Sequence, residues 1–218
     1  MSSPPVSFRL ARSTRTRSGV ALVVALLAVL LGGLLVGLLS ASPVSAADAD
    51  QPLAVGDKAP DFELPVQGKN GFVTLSQLNE QGPVVVVVLR GYPGYQCSTC
   101  KRQVGNIINR AKALAAALGD QPNRVLLVYP GNESSAELDR LATQFIGGRR
   151  MPDPLVMVCD PGMEMVKSWG LRWDAPRETA YPAAYVIGAG RRVEWAKVSD
   201  SHAGRASVED ILKALKNL

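Results

Sequence analysis

Between Pro83 and Leu89 the chain reads PVVVVVL. Successive side chains of a strand point to opposite faces, so five consecutive valines leave neither face for water. β-branched residues are also stiff and fit a strand better than a helix. The run therefore predicts a central strand covered on both sides, the pattern of a parallel sheet sandwiched by helices. Two further runs have the same character, Val125 to Tyr129 (VLLVY) and Leu155 to Cys159 (LVMVC). Between the first two lie Val104, Ile107, Ile108, Ala111, Leu114, Ala115 and Leu118, at helical spacing, with Gly119 and Pro122 as stops. Ser134-x-x-Glu137 is a capping box that opens a second helix, to about Ile146. Met163 to Trp169 reads as a short helix closed by Gly170.

The flanks read differently. Asp61 to Leu64 and Phe72 to Leu75 surround Gly68-Lys69-Asn70-Gly71, a hairpin signal. Ala183 to Ile187 and Val193 to Val198 flank Gly188 to Arg191 and read as an antiparallel pair. Ser207-x-x-Asp210 caps a terminal helix whose stripe is Val208, Ile211, Leu212 and Leu215. The order is an N-terminal hairpin followed by βαβαβαββα. Crossover helices imply parallel neighbours, and the last pair adds an antiparallel edge. The fold class is α/β with a mixed central sheet flanked by helices.

The 218 residues suffice for one domain with its own core and a leader. Residues 1–46 divide off as the leader, 47–53 as a short linker and 54–218 as the folded domain. Of the 24 Lys and Arg, four (Arg9, Arg12, Arg15, Arg17) precede residue 47, where there is no acid; 20 basic and 19 acidic residues remain. A net charge of +1 over residues 47–218 gives no electrostatic case for nucleic acid. Residues 20–39 (VALVVALLAVLLGGLLVGLL) form an uncharged leader helix behind the arginines. Pro43 and the small residues of Val44-Ser45-Ala46 favour a cleavable signal peptide. The length favours an uncleaved transmembrane anchor. Both readings export the domain to the periplasm or cell envelope, where disulfides persist. No cysteine precedes Cys97, which excludes a lipid on an N-terminal cysteine.

Cys97 and Cys100 stand where the valine strand gives way to the first long helix, in RGYPGYQCSTCKRQV. Unpaired N–H groups and the helix dipole at such a position stabilise a thiolate, which thiol chemistry near neutral pH requires. Spacing i, i+3 puts both sulfurs on one helix face, within reach of a disulfide. Lys101 and Arg102 add positive charge nearby. A zinc clip would need a second CxxC or a histidine pair, and the sequence has neither. A static disulfide closing so small a loop would constrain the unfolded chain little. The chemistry read here is dithiol–disulfide redox work, which requires no bound cofactor.

On these features the chain resembles the thioredoxin-like superfamily, and within it the redoxin branch that contains peroxiredoxins, the alkyl hydroperoxide reductase C and thiol-specific antioxidant group. The resemblance spans about residues 52–218. It rests on GDKAPDFELP (Gly56 to Pro65), the strand-to-cysteine junction and YPAAYVIGAGRRV. It implies a thioredoxin-like fold with an N-terminal hairpin extension. It also implies an electron-donor thiol, protein or small molecule, and a protein disulfide or hydroperoxide as substrate. Pro93-Gly-Tyr-Gln-Cys97-Ser-Thr-Cys100 fits the peroxiredoxin spacing Pro-x-x-x-Thr-x-x-Cys, with Pro93 in the active-site loop and Cys97 in place of the threonine. That alignment makes Cys100 the peroxide-attacking thiolate of an antioxidant peroxidase. The arginine that the branch places before the late strand is missing; Tyr181-Pro182 stands there, and Arg177 does not match the motif. A thioredoxin-type reading makes Cys97 the nucleophile and Cys100 the resolving thiol. It also makes Pro182 a cis-proline that, with Tyr181, contacts substrate. Its dyad is Ser98-Thr99, and Gln96 replaces the usual tryptophan. The two readings give the same two sulfurs opposite roles; disulfide exchange is preferred, with the peroxidase as alternative.

Other residues have plainer explanations. Cys159 reads as a buried inert thiol, with a second resolving thiol or an intermolecular disulfide as the sharper role. His202, the single histidine, reads as a loop residue. Its sharper role is a metal ligand with Cys97 and Cys100, as in thioredoxin-fold copper chaperones of respiratory oxidase assembly, although those use CxxxC. Lys58, Asp61 and Glu63 read as solvated charges, and Trp169, Trp173 and Trp195 as packing residues. Leu171 to Pro182 is expected to form one wall of the cleft.

Overall fold

The computed structural model describes residues 51–91 and 97–218. The expected leader, most of the expected linker and the active-site loop residue Pro93 lie outside these residues. Among the described residues, no helix is long and apolar enough to cross a membrane.

The chain opens with a hairpin of β1 (Glu63–Pro65) and β2 (Phe72–Thr74), with Leu64 opposite Val73. A short helix α1 (Leu75–Glu80) follows directly; the expected strand ends one residue earlier than read, and Leu75 begins the helix instead. Strand β3 (Val84–Val88) is the valine run. The expected helix of 104–118 is two segments, α2 (Ser98–Asn109) and α3 (Ala111–Ala117). At Arg110 the N–H bonds three residues back, to the Ile107 carbonyl, and the helix then resumes. Both segments bury the same stripe, since Val104, Ile107, Ala111, Leu114 and Leu118 share one core. Then come β4 (Val125–Gly131), α4 (Ser135–Ile146), β5 (Leu155–Pro161) and α5 (Glu164–Ser168). The chain ends with β6 (Ala183–Ile187), β7 (Val193–Val198) and α6 (Val208–Lys216). The Ser207–Asp210 capping box forms in full.

The main sheet has the order β5-β4-β3-β6-β7. β3, β4 and β5 are parallel, while β6 runs antiparallel to both β3 and β7. The mixed α/β sheet with an antiparallel edge is the one that the element order implied.

All five valines of β3 are fully buried. Val85 and Val87 pack with the helices α2, α3, α4 and α6. Val84, Val86 and Val88 pack with Phe62, Leu64, Trp169 and Tyr185. Full burial of an aliphatic side chain contributes about 1.5–3 kcal/mol, so the run stabilises both layers at once.

The topology converges on one end of the sheet. Val88, at the exit of β3, pairs with Ala183 at the entry of β6, and Ala183 pairs with Val198 at the exit of β7. Three segments therefore meet there: the one after β3, the one before β6 and the one after β7.

Candidate active site

Cys97 is the N-cap of α2, and its Sγ accepts the backbone N–H of Cys100 at 3.3 Å. One of the orphan donors of the helix N-terminus is thus spent on a sulfur. Cys97 is 5% exposed and Cys100 is fully buried; both are free thiols.

Two guanidinium groups reach Cys97. Arg205, in the segment after β7, places Nη2 3.8 Å from Sγ. Its Nη1 donates to Gln103 Oε1 at 3.1 Å and its Nε to the His202 carbonyl at 3.2 Å. Arg90, just beyond β3, also hydrogen-bonds Cys97. Arg90 is buried and held by Glu178, whose Oε1 accepts from Nη2 at 2.6 Å while Oε2 accepts from Nε. The same Nη2 donates to the Arg177 carbonyl at 3.1 Å. Burial pushes the Glu178 carboxyl up, but hydrogen bonds from Arg90 and His202 outweigh it and hold the group below its ordinary value.

These contacts divide the two thiols. The hydrogen bond from the Cys100 thiol lowers the Cys97 pKa to about 5 against the opposing effect of burial, with help from the Cys100 N–H and the charge of Arg205. The same hydrogen bond, together with burial, pushes the Cys100 thiol far above the ordinary range. Both directions favour a thiolate at Cys97 with Cys100 as its hydrogen-bond donor. A thiolate at the mouth and a thiol beneath it can attack an electrophilic sulfur or oxygen and then close on each other.

The segment before β6, which includes Leu171 to Pro182, reaches the site through Glu178, the carboxylate that holds Arg90. Trp173 stacks on Tyr181 with ring centroids 4.8 Å apart and planes 11° apart. The Pro182 carbonyl accepts the Ser199 N–H at 2.8 Å, tying this segment to the one after β7. The expectation of a cis bond at Tyr181–Pro182 is corrected: among the described residues the cis bond is Asp153–Pro154, at the entry to β5. The late-strand position matched the family pattern, but the bond geometry did not follow.

His202 does not join the cysteines. Its Nε2 lies 3.0 Å from Glu178 Oε1, and its ring is tilted against Trp173 at 5.2 Å. Among the described residues, no group of three or more His, Cys, Asp or Glu could hold a metal ion. Cys159 lies opposite Tyr129 in the β4–β5 register and is 1% exposed. Burial pushes its thiol up to about 12 and the Tyr129 phenol likewise to about 12. Both are neutral at physiological pH.

Sequence reasoning missed Arg90, Glu178, Gln103 and Arg205. Arg90 had a signal, because an arginine directly after an all-buried strand must find an acid. Arg205 had none, being 108 residues from the sulfur it faces.

Residues 54–215 match the Redoxin family model. The chain belongs to the Redoxin family. No curated protein matches the sequence. Among solved structures it resembles peroxidoxin BcpB from Mycobacterium tuberculosis, with 20% identity and TM-score 0.56, over 76% of this chain and 98% of that one. It also resembles the reduced 2-Cys peroxiredoxin of Plasmodium vivax, with 20% identity and TM-score 0.58, over 76% and 81%. Reduced Prx3 of Vibrio vulnificus in complex with hydrogen peroxide aligns with 19% identity and TM-score 0.56, over 75% and 96%. These likenesses establish the thioredoxin-like fold. This redoxin is a thiol-dependent oxidoreductase.

Proposed function

We propose that this redoxin carries out dithiol–disulfide exchange, with Cys97 as nucleophile and Cys100 as resolving thiol. The observation that carries this reading is the division of roles inside the pair. Charge is favoured on Cys97, at the helix N-cap and 3.8 Å from the Arg205 guanidinium, and disfavoured on Cys100, which is fully buried. The Cys97 thiolate attacks one sulfur of a substrate disulfide and expels the other as a thiolate. Cys100 then loses its proton and attacks Cys97 Sγ. The substrate leaves as its second thiolate, and Cys97 and Cys100 are left as a disulfide. The substrate gains two electrons and the pair loses two; a donor thiol protein or small thiol restores it. Tyr181 and Pro182, in the segment that leads into β6, are the substrate-contacting residues in this scheme. The leader of residues 1–46 exports the domain, as a signal peptide or an anchor, to an extracytoplasmic compartment that supplies disulfides.

A second reading rests on the two guanidinium groups at Cys97. Arginine can hold a peroxide oxygen and stabilise the leaving hydroxide. Cys97 would then take one peroxide oxygen as a sulfenic acid and release water or an alcohol. Cys100 would condense with it, giving the same disulfide and a water. Here the peroxide-attacking role moves from Cys100, where the motif alignment put it, to Cys97.

One comparison tests both. Full-length Cys97→Ser and Cys100→Ser proteins, reduced and held in mild detergent, are mixed with a disulfide peptide or with hydrogen peroxide and read by mass spectrometry. Mixed disulfide on Cys97 in the Cys100→Ser protein, with slow peroxide reaction, is the expected result. Fast sulfenic acid on Cys97 in that protein would replace exchange with peroxide reduction. Fast sulfenic acid on Cys100 in the Cys97→Ser protein would overturn the assignment of roles.

A further inference from the structure

A groove of about 490 Å³ lies between α2 and the segment that leads into α6. Its floor includes Gln103, Ile107 and Val208, and its rim includes Arg102, Asn106 and Arg110. One group joins it to the reactive sulfur. Arg205 lines the groove, holds Gln103 through Nη1 and faces Cys97 Sγ through Nη2. A substrate whose sulfur meets Cys97 therefore has its neighbouring residues at the mouth of this groove.

The charge of the groove is one-sided. Three arginines line it against one acid, Glu209, and Glu209 is already paired with Arg110 at 3.0 Å. Among the described residues Arg102 has no acidic partner, and Arg205 shares its charge with Cys97 Sγ at 3.8 Å; Thr99, Asn106 and Asn109 are uncharged hydrogen-bonding groups beside them. The volume lies within the range of sites that take a small molecule or a few residues of peptide.

We propose that this groove binds the acidic segment flanking the disulfide of a peptide or protein substrate, with a carboxylate on Arg102 and the adjacent sulfur on Cys97. The inference rests on the exchange function above and names its substrate class. Guanidinium groups match carboxylates in geometry as well as charge. Complementary charge of this kind acts mainly through the rate of encounter.

The test uses the full-length Cys100→Ser protein, which traps substrate as a mixed disulfide. Two synthetic disulfide-linked peptides of equal length are compared, one with glutamates and one with lysines beside the cysteine. Wild-type groove residues are expected to favour the glutamate peptide by about fivefold in trapping rate, a ratio that shrinks as salt rises. Arg102→Glu in the same background is expected to bring the ratio to about one or below. Because the readout is a ratio within one protein, a general loss of reactivity does not affect it. Equal rates for the two peptides overturn the groove while leaving exchange standing, and so does a preference that survives Arg102→Glu. Failure to trap either peptide overturns the exchange function and the groove with it.

Discussion

The two faces of the central sheet are built from the same strand and do opposite work. Val84, Val86 and Val88 look onto an interlocked aromatic layer, where Trp169 meets Tyr185 edge-on at 5.1 Å and Phe62 at 5.8 Å. Val85 and Val87 look onto the layer that holds Cys97, Cys100, Cys159 and Tyr129. No cysteine is buried in the first layer, and all three are in the second. The first face spends its burial on shape. The second carries reactive groups at one end, where the helix α2 begins and where loops can bring charge to a sulfur. Stability and chemistry are thus separated by the thickness of a single strand.

The sharpest way to break that separation is from the inert side. Trp169 is fully buried, and its indole N–H donates to the Pro60 carbonyl at 3.2 Å. Trp169→Ala is expected to destabilise the protein by about 3–5 kcal/mol, through lost burial and the cavity left behind. Urea unfolding checks the loss. The thiolate titration of Cys97, followed by ultraviolet absorbance below the unfolding transition, is expected to keep its wild-type midpoint. A midpoint that moves with Trp169 would show that the two faces are mechanically coupled.

A second test comes from the reactive side. The Cys97 pKa is depressed to about 5 in the folded reduced protein, against about 8.5 for an unfolded cysteine. The unfolded state therefore binds the extra proton between these values, and folding stability rises with pH across the window. The contribution is fully present above the unfolded pKa and is lost as pH falls through the folded one. Denaturant unfolding of the reduced protein is expected to show a higher midpoint at pH 8 than at pH 5. In Cys97→Ser this dependence is expected to flatten. A wild-type midpoint that is level across the window would mean that Cys97 is not a thiolate in the folded state.

Legibility in the sequence follows the same division. The valine run, VLLVY and LVMVC required strands buried on both sides, because no alternation was available to wet either face. The crossover helices then fixed parallel neighbours, and the structure has both features. Cys97 and Cys100 were legible because the N-cap position is a local property of a strand-to-helix junction. What surrounds them was not. Arg205 and Glu178 reach the site from segments 108 and 88 residues away, and only the strand order β3-β6-β7 brings those segments together. The conformation of Tyr181–Pro182 was hidden for the same reason, since packing at that junction decides the bond and local sequence gives only a preference. The break of the long helix at Arg110 had no local marker, as neither glycine nor proline occurs there.

Arg205 offers the finest test of what makes one face reactive. Its guanidinium is positioned by three contacts, to Cys97 Sγ, Gln103 and the His202 carbonyl, and its charge is among the causes of the low Cys97 pKa. Arg205→Gln removes that charge and keeps a polar side chain at the mouth of the groove. An opposite charge at this range shifts a pKa by about one unit or more, so the thiolate midpoint is expected to rise by about one pH unit, toward the ordinary thiol value. The pH profile of mixed-disulfide trapping in the Cys100→Ser background should rise with it. The hydrogen bonds from Cys100 do not depend on Arg205, so the midpoint should stay below that of a free cysteine. If the midpoint does not move at all, the thiolate is sustained by the helix N-terminus, Cys100 and Arg90 without help from Arg205. The charge on the reactive face would then come from the β3 side of the site, and Arg205 would serve the substrate instead.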